Sequence, residues 1–191
     1  RAAFPVTPPA SAGTWTRPPA TAALPPWCTA ALTPATAPNA AFASDIGSIS
    51  NTELISPNFV VAPGGSQVTF RNLFNMESES TQPTLGYDGM VLEISMNGSP
   101  YQDILAAGGS FVTGGYTRTI SGAFGSPIAG RQAWSGLSAG TTASPAYITT
   151  TVNLPAATVG QLVRIKWRVA TDSGSTAAGA IGVRIDTITG I

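Results

Sequence analysis

Histidine is missing from this chain of 191 residues, cysteine and lysine occur once each (Cys28 and Lys166), and only 9% of the residues are charged. Each shortage removes a class of function. Without imidazole there is no Ser-His-Asp or Cys-His nucleophile system, no histidine metal ligand and no histidine pH switch. A lone cysteine cannot close an internal disulfide, and thiolate zinc sites of the usual kinds need at least two. Nine acidic and nine basic residues give a formal net charge of zero, which leaves no electrostatic footprint for nucleic acid or an anionic membrane. No apolar run approaches the ~18 residues of a membrane span. The chain therefore reads as a non-enzyme with neither a nucleic-acid partner nor membrane insertion.

What is present suits a packed domain. A hydrophobic fraction of 43% fills a good core at this length. Ordinary soluble domains carry roughly 25% charged residues, so the polar surface here must come from Thr, Ser, Asn and Gln. That balance, with almost no Lys, suits an exported surface protein. Arg1 leads straight into a Pro-rich stretch without an apolar signal segment, so the chain reads as a mature or excised segment.

The character of the sequence changes near residue 38. Nine of the sixteen prolines fall in residues 1–38, which makes that part extended or polyproline-like. Phe4, Val6, Trp15 and Trp27 are spaced through it, so it reads as an arm that packs on a surface or tethers the domain that follows. Cys28 reads as a small buried hydrophobe beside Trp27. Residues 39–191 form the second region. From about residue 54, apolar and polar residues alternate. Val68, Phe70, Phe74 and Met76 share one strand face, and Met90, Leu92, Ile94 and Met96 share another opposite Glu93, Ser95 and Asn97. Ile148 to Leu154, Val163 to Val169 and a last strand near 180–188 repeat the pattern. Period-2 alternation between Gly- and Pro-bearing turns predicts an all-β, two-sheet antiparallel β-sandwich. The Gly-rich segment Gly108–Ser144 reads mainly as packing, with ligand binding as the alternative use of so long a loop.

Six blocks within residues 39–191 carry a resemblance. They are Leu54-Ile55-Ser56-Pro57, Phe70 to Glu77, Tyr87 to Ser95, Gly130 to Gly136, Val163 to Arg168 and Arg184 to Ile188. In that order they resemble the MAM-like jelly-roll domains of secreted bacterial peptidases and large cell-surface proteins. The resemblance implies a concanavalin-like jelly roll, extracellular or cell-surface placement in a bacterium, and a non-catalytic role in adhesion, anchoring or assembly. Animal MAM domains carry paired cysteines that this chain lacks, and residues 1–38 match only through Leu24-Pro25-Pro26-Trp27. The partners implied are other protein subunits or surface proteins. Self-association into a filament or lattice through the arm residues Phe4, Val6, Trp15 and Trp27 is the alternative. A carbohydrate-binding module, stacking sugars on Tyr87, Tyr101, Tyr116 or Trp134, is the third reading.

The resemblance also implies one structural calcium ion near the terminal strand, where Asp186 precedes the final Thr-Ile. Hard oxygen ligands are the only kind this composition offers, and Asp88, Asp45 and Asn39 are the other candidates. Paired carboxylates at Glu77 and Glu79 sit too close together for glycosidase work, which leaves a solvated loop or calcium ligation. Arg164, Lys166 and Arg168 form a ladder of cations, expected to pair across strands with Glu77, Glu93 or Asp103.

Overall fold

The computed structural model describes residues 27–31, 33–176, 179 and 181–191. Among these the chain is all-β, with a single 3-10 turn at Ala156–Thr158 and no helix long and apolar enough to cross a membrane. One sheet runs in the order β1 (Cys28–Ala30), β2 (Ala40–Ala43), β16 (Gly182–Thr189), β5 (Gln67–Asn75), β14 (Ile148–Asn153) and β9 (Ser110–Thr113). The facing sheet runs β3 (Ser50–Ile55), β15 (Leu162–Thr171), β7 (Gly89–Met96) and β8 (Gln102–Asp103), with β4 (Phe59–Val60) also on β15. Two small sheets join loops: β11 (Gln132–Ala133), β10 (Arg118–Ile120) and β6 (Leu85–Gly86) in one, β12 (Gly140–Thr141) and β13 (Ser144–Pro145) in the other.

The antiparallel pairs β2·β16, β3·β15, β5·β14 and β7·β8 are nested, each inside the last along the chain. A long hairpin rolled over on itself gives that nesting, so the sandwich is a jelly roll. Its interior comes from the alternation read in the sequence. Val68 and Phe70 of β5, Val152 of β14 and Val183 and Ile185 of β16 meet Leu92 and Ile94 of β7 and Val163, Ile165 and Trp167 of β15 in one core. Phe70 contacts Trp167 edge-on at 5.3 Å and Trp134 at 5.8 Å, which ties the sheets through their aromatics. Full burial of each such side chain is worth about 1.5–3 kcal/mol. The inward face of β5 continues through a polar position. Buried Asn72 accepts a hydrogen bond from the Thr150 hydroxyl at 3.1 Å.

One strand departs from the expected pattern. The segment after β9 folds back over the outer face of the second sheet, where Ile120, Ile128 and Ala133 form a second apolar cluster with Val91 and Ala170. β7 is consequently buried on both faces, Glu93 and Ser95 included. Glu93 survives there because cations surround it: Arg131 at 2.5 Å, Lys166 at 2.8 Å and Arg168 at 3.5 Å. Lys166 also reaches Glu53 at 2.8 Å, and Arg131 reaches Asp103 at 2.8 Å. The ladder of cations thus pairs with Glu93 and Glu53, and Arg164 donates to the Ser56 carbonyl at 3.3 Å. Glu77 lies elsewhere, at one end of the sandwich.

The sheet begins inside the Pro-rich segment. β1 pairs with β2, and Trp27 is 2% exposed in the core, so this tryptophan anchors its own domain and is closed to a partner. Cys28 is exposed, not buried, because Trp27 takes the inward position at the edge of the sheet. Phe4, Val6 and Trp15 lie outside the described residues.

Candidate metal centre

The connections β2–β3, β5–β6 and β15–β16 and the turn before β7 meet at one end of the sandwich. Gly182 makes part of this possible. It has φ +78° at the start of β16, and a Cβ there would lie 2.6 Å from the Asp45 amide nitrogen, so only glycine lets the strand begin against that loop. Four carboxylates come together as a result. Asp45 Oδ2 accepts from the Glu77 backbone N–H at 3.2 Å, and Asp88 Oδ1 accepts from the Asp172 N–H at 2.6 Å. Asp172 Oδ1 accepts from the Gly174 N–H at 2.6 Å, and Glu77 Oε1 accepts from the Ser175 hydroxyl at 3.1 Å. One oxygen of each carboxylate is held in this way. Asp45 Oδ1, Glu77 Oε2 and Asp88 Oδ2 are buried and meet no backbone N–H or hydroxyl donor.

Oxygens of Glu77, Asp88 and Asp172 all lie within 4.8 Å of one another. Asp45 faces Asp88 closely enough for the two to share a proton. Asp88 is 0% exposed and Asp172 3%. Burial pushes the carboxyls of Asp45, Glu77 and Asp88 above the usual range, and neighbouring carboxylates add to the push. Among the described residues the ion pairs belong to the Glu93 network, and none reaches this cluster. A Cβ at Gly174 would lie 2.9 Å from Asp172 Oδ1 and 3.3 Å from Glu77 Oε2, so glycine keeps this side of the cluster open. Buried like charges without a counter-charge are costly, and such a set takes up protons or a hard cation.

Of the four metal ligands expected from sequence, the fold joins Asp45 and Asp88 and separates the others. Asp186 lies four residues beyond Gly182 on β16, about 13 Å along a strand. Its carboxylate accepts from the backbone N–H of Thr187 at 2.6 Å and of Thr36 at 2.9 Å, tying the segment before β2 to the sheet. Asn39 stands before β2 and Asp45 after it, again on the order of 10 Å apart, because a strand separates its two ends. Glu77 completes the group instead, without Glu79, whose carboxylate binds Tyr87 at 2.7 Å. Asp172 was legible only as part of the turn Asp172-Ser173-Gly174. Its one further signal was its place directly after the long strand β15.

The aromatics divide similarly. Trp134 is fully buried, its Nε1 donating to the Gly114 carbonyl at 2.8 Å, and cannot stack on a sugar. Tyr116 packs edge-on against Trp134 at 4.8 Å, and its hydroxyl accepts from the Leu92 N–H and donates to Asp103. Tyr101 lies under the Lys166 ammonium, 4.3 Å from the ring centre. Tyr87 remains at the loop end, edge-on to Phe124 at 5.6 Å. Phe124 is 48% exposed and Ile49 50%, and a Cβ on Gly125 would lie 3.2 Å from Ile49 Cδ1. An apolar patch on ordered loops therefore borders the carboxylates.

No family model matches the chain, and no curated protein matches it.

Proposed function

We propose that the chain is a non-catalytic module of the secreted or cell-surface kind, which works by contacting other proteins through the loop end of its sandwich. The observation that supports this reading is the patch of Ile49, Phe124 and Tyr87. Phe124 and Ile49 stand about half exposed, Ile49 close to Gly125, and Phe124 packs edge-on against Tyr87, whose hydroxyl donates to Glu79. Apolar and aromatic anchors with little conformational freedom are what the centre of a protein contact needs.

A second reading rests on the strand order. Among the described residues β1 stands at the edge of its sheet, and the Pro-rich segment leads into it, so an arm contacting the next copy would build an open assembly. Sedimentation and negative-stain imaging of the full chain, of an Ile49→Ser/Phe124→Ser variant and of a chain starting at residue 27 test the two. Loss of assembly in the double variant supports the loop-end contact, and loss on truncation supports the arm. Monomers throughout, together with binding on a glycan array, would replace both with a carbohydrate-binding module.

A further inference from the structure

Two guanidiniums on the outer face of the six-stranded sheet lack a counter-charge within the chain. We infer that Arg71 and Arg184 form a carboxylate-binding site, which takes an acidic side chain of a partner protein. In register, Arg184 stands opposite Leu73 and Phe42, and Arg71 opposite Asp186 and Thr149, so β5 and β16 set both cations on one face. Arg184 is 8% exposed, and its Nε and Nη1 are buried without a hydrogen-bond partner. Arg71 Nε is buried and unmet as well, and its Nη2 reaches the Tyr147 carbonyl only at 3.4 Å. The Arg184 guanidinium lies over the Phe42 ring, 5.0 Å from its centre. A ring attracts the cation but supplies no lone pair for its N–H groups.

The acids of the chain are all spoken for. Of the nine, four meet at the loop end, Glu53, Glu93 and Asp103 hold Lys166, Arg131 and Arg168, and Glu79 binds Tyr87. Asp186 alone shares the face of Arg71 and Arg184, and its oxygens turn to the N–H groups of Thr187 and Thr36. Among the described residues no ion pair reaches either arginine. The remaining residues contain no Asp or Glu, so they bring no counter-charge. A guanidinium does not shed its proton, so a buried one calls for an acceptor from outside. Its flat array of donors matches a planar carboxylate. Phe42 and Tyr147, both half-buried, wall the site, with Arg71 lying 5.8 Å from the centre of the Tyr147 ring. Depth selects the source. Arg71 is partly covered and Arg184 almost wholly, so the incoming group must be narrow and carried on a stem. A Glu or Asp side chain meets that need, whereas a sugar acid carries its carboxylate directly on a ring.

The test follows the arginine Nε–H signals of the full chain by ¹⁵N NMR during titration with N-acetylglutamate α-amide. Sodium glucuronate and sodium phosphate serve as comparisons, and NaCl holds the ionic strength constant. The Arg71 and Arg184 signals shift and saturate with the glutamate probe, whereas those of Arg131 and Arg168, already paired with Glu93, stay in place. Arg71→Gln raises the midpoint of the Arg184 shift at least fivefold, and Arg184→Gln does the same to the Arg71 shift. Should Arg184→Gln fail to fold, Arg71→Gln, at the less buried position, still decides. Equal shifts with NaCl alone, or an Arg184 midpoint unchanged in Arg71→Gln, overturn the site. A lower midpoint for glucuronate or phosphate overturns the assignment to an acidic side chain. The site uses no residue of the Ile49–Phe124 patch, so the Ile49→Ser/Phe124→Ser variant keeps these shifts whether or not the patch binds a protein.

Discussion

Glu93 shows how this chain uses its few charges. Burial pushes its carboxyl up, yet hydrogen bonds from Lys166 and Arg131 outweigh the burial and hold it below its ordinary value of 4.5. A carboxyl depressed in the folded state stabilises the fold above its unfolded pKa, and that contribution is lost as pH falls through the folded value. Glu93→Gln is therefore expected to flatten the loss of stability below about pH 4.5 in acid unfolding curves. At neutral pH the same variant costs about 3 kcal/mol by denaturant titration, because Lys166 and Arg131 keep only Glu53 and Asp103. A parent and variant with parallel acid curves would show that the network is mere surface pairing. The carboxylates of the loop end lie at the other extreme, crowded together and, among the described residues, in none of the ion pairs.

Among the elements, the segment that crosses the second sheet matters most. Trp134 locks it to the core by its ring contacts with Phe70, Phe111 and Tyr116 and by its bond to Gly114. Trp134→Ala is expected to cost about 3–5 kcal/mol in urea unfolding, with exposure of Ile120 and Ile128 reported by dye binding. A cost below 1 kcal/mol would mean that the segment merely rests on the sheet. This layer also marks where sequence reasoning stopped. Alternation along β5, β14, β15 and β16 was plain in the sequence because each of these strands has one apolar face. β7 alternates too, but Glu93 and Ser95 read as solvent-facing, since nothing local announces that a Gly-rich segment some 25 or more residues on will cover them. β2, with its Ala-Ala-Phe-Ala, has no alternation to read and is a strand only because β1 and β16 pair with it.

For the molecule as a whole, the jelly-roll winding brings loops distant in sequence to one end. Asp45 and Asp172 are neighbours through a common partner, Asp88, although more than a hundred residues separate them. Spacing along the chain could not show this, and it is why Asp186 and Asn39 were plausible ligands until the strands between them and Asp45 were placed. That end is proposed as a contact surface built on Ile49, Phe124 and Tyr87. Sedimentation of the full chain over a concentration series, with the Ile49→Ser/Phe124→Ser variant beside it, is the decisive measurement. The full chain is expected to gain mass with concentration and the double variant to stay monomeric. A gain in mass that survives in the double variant would overturn this reading of the loop end.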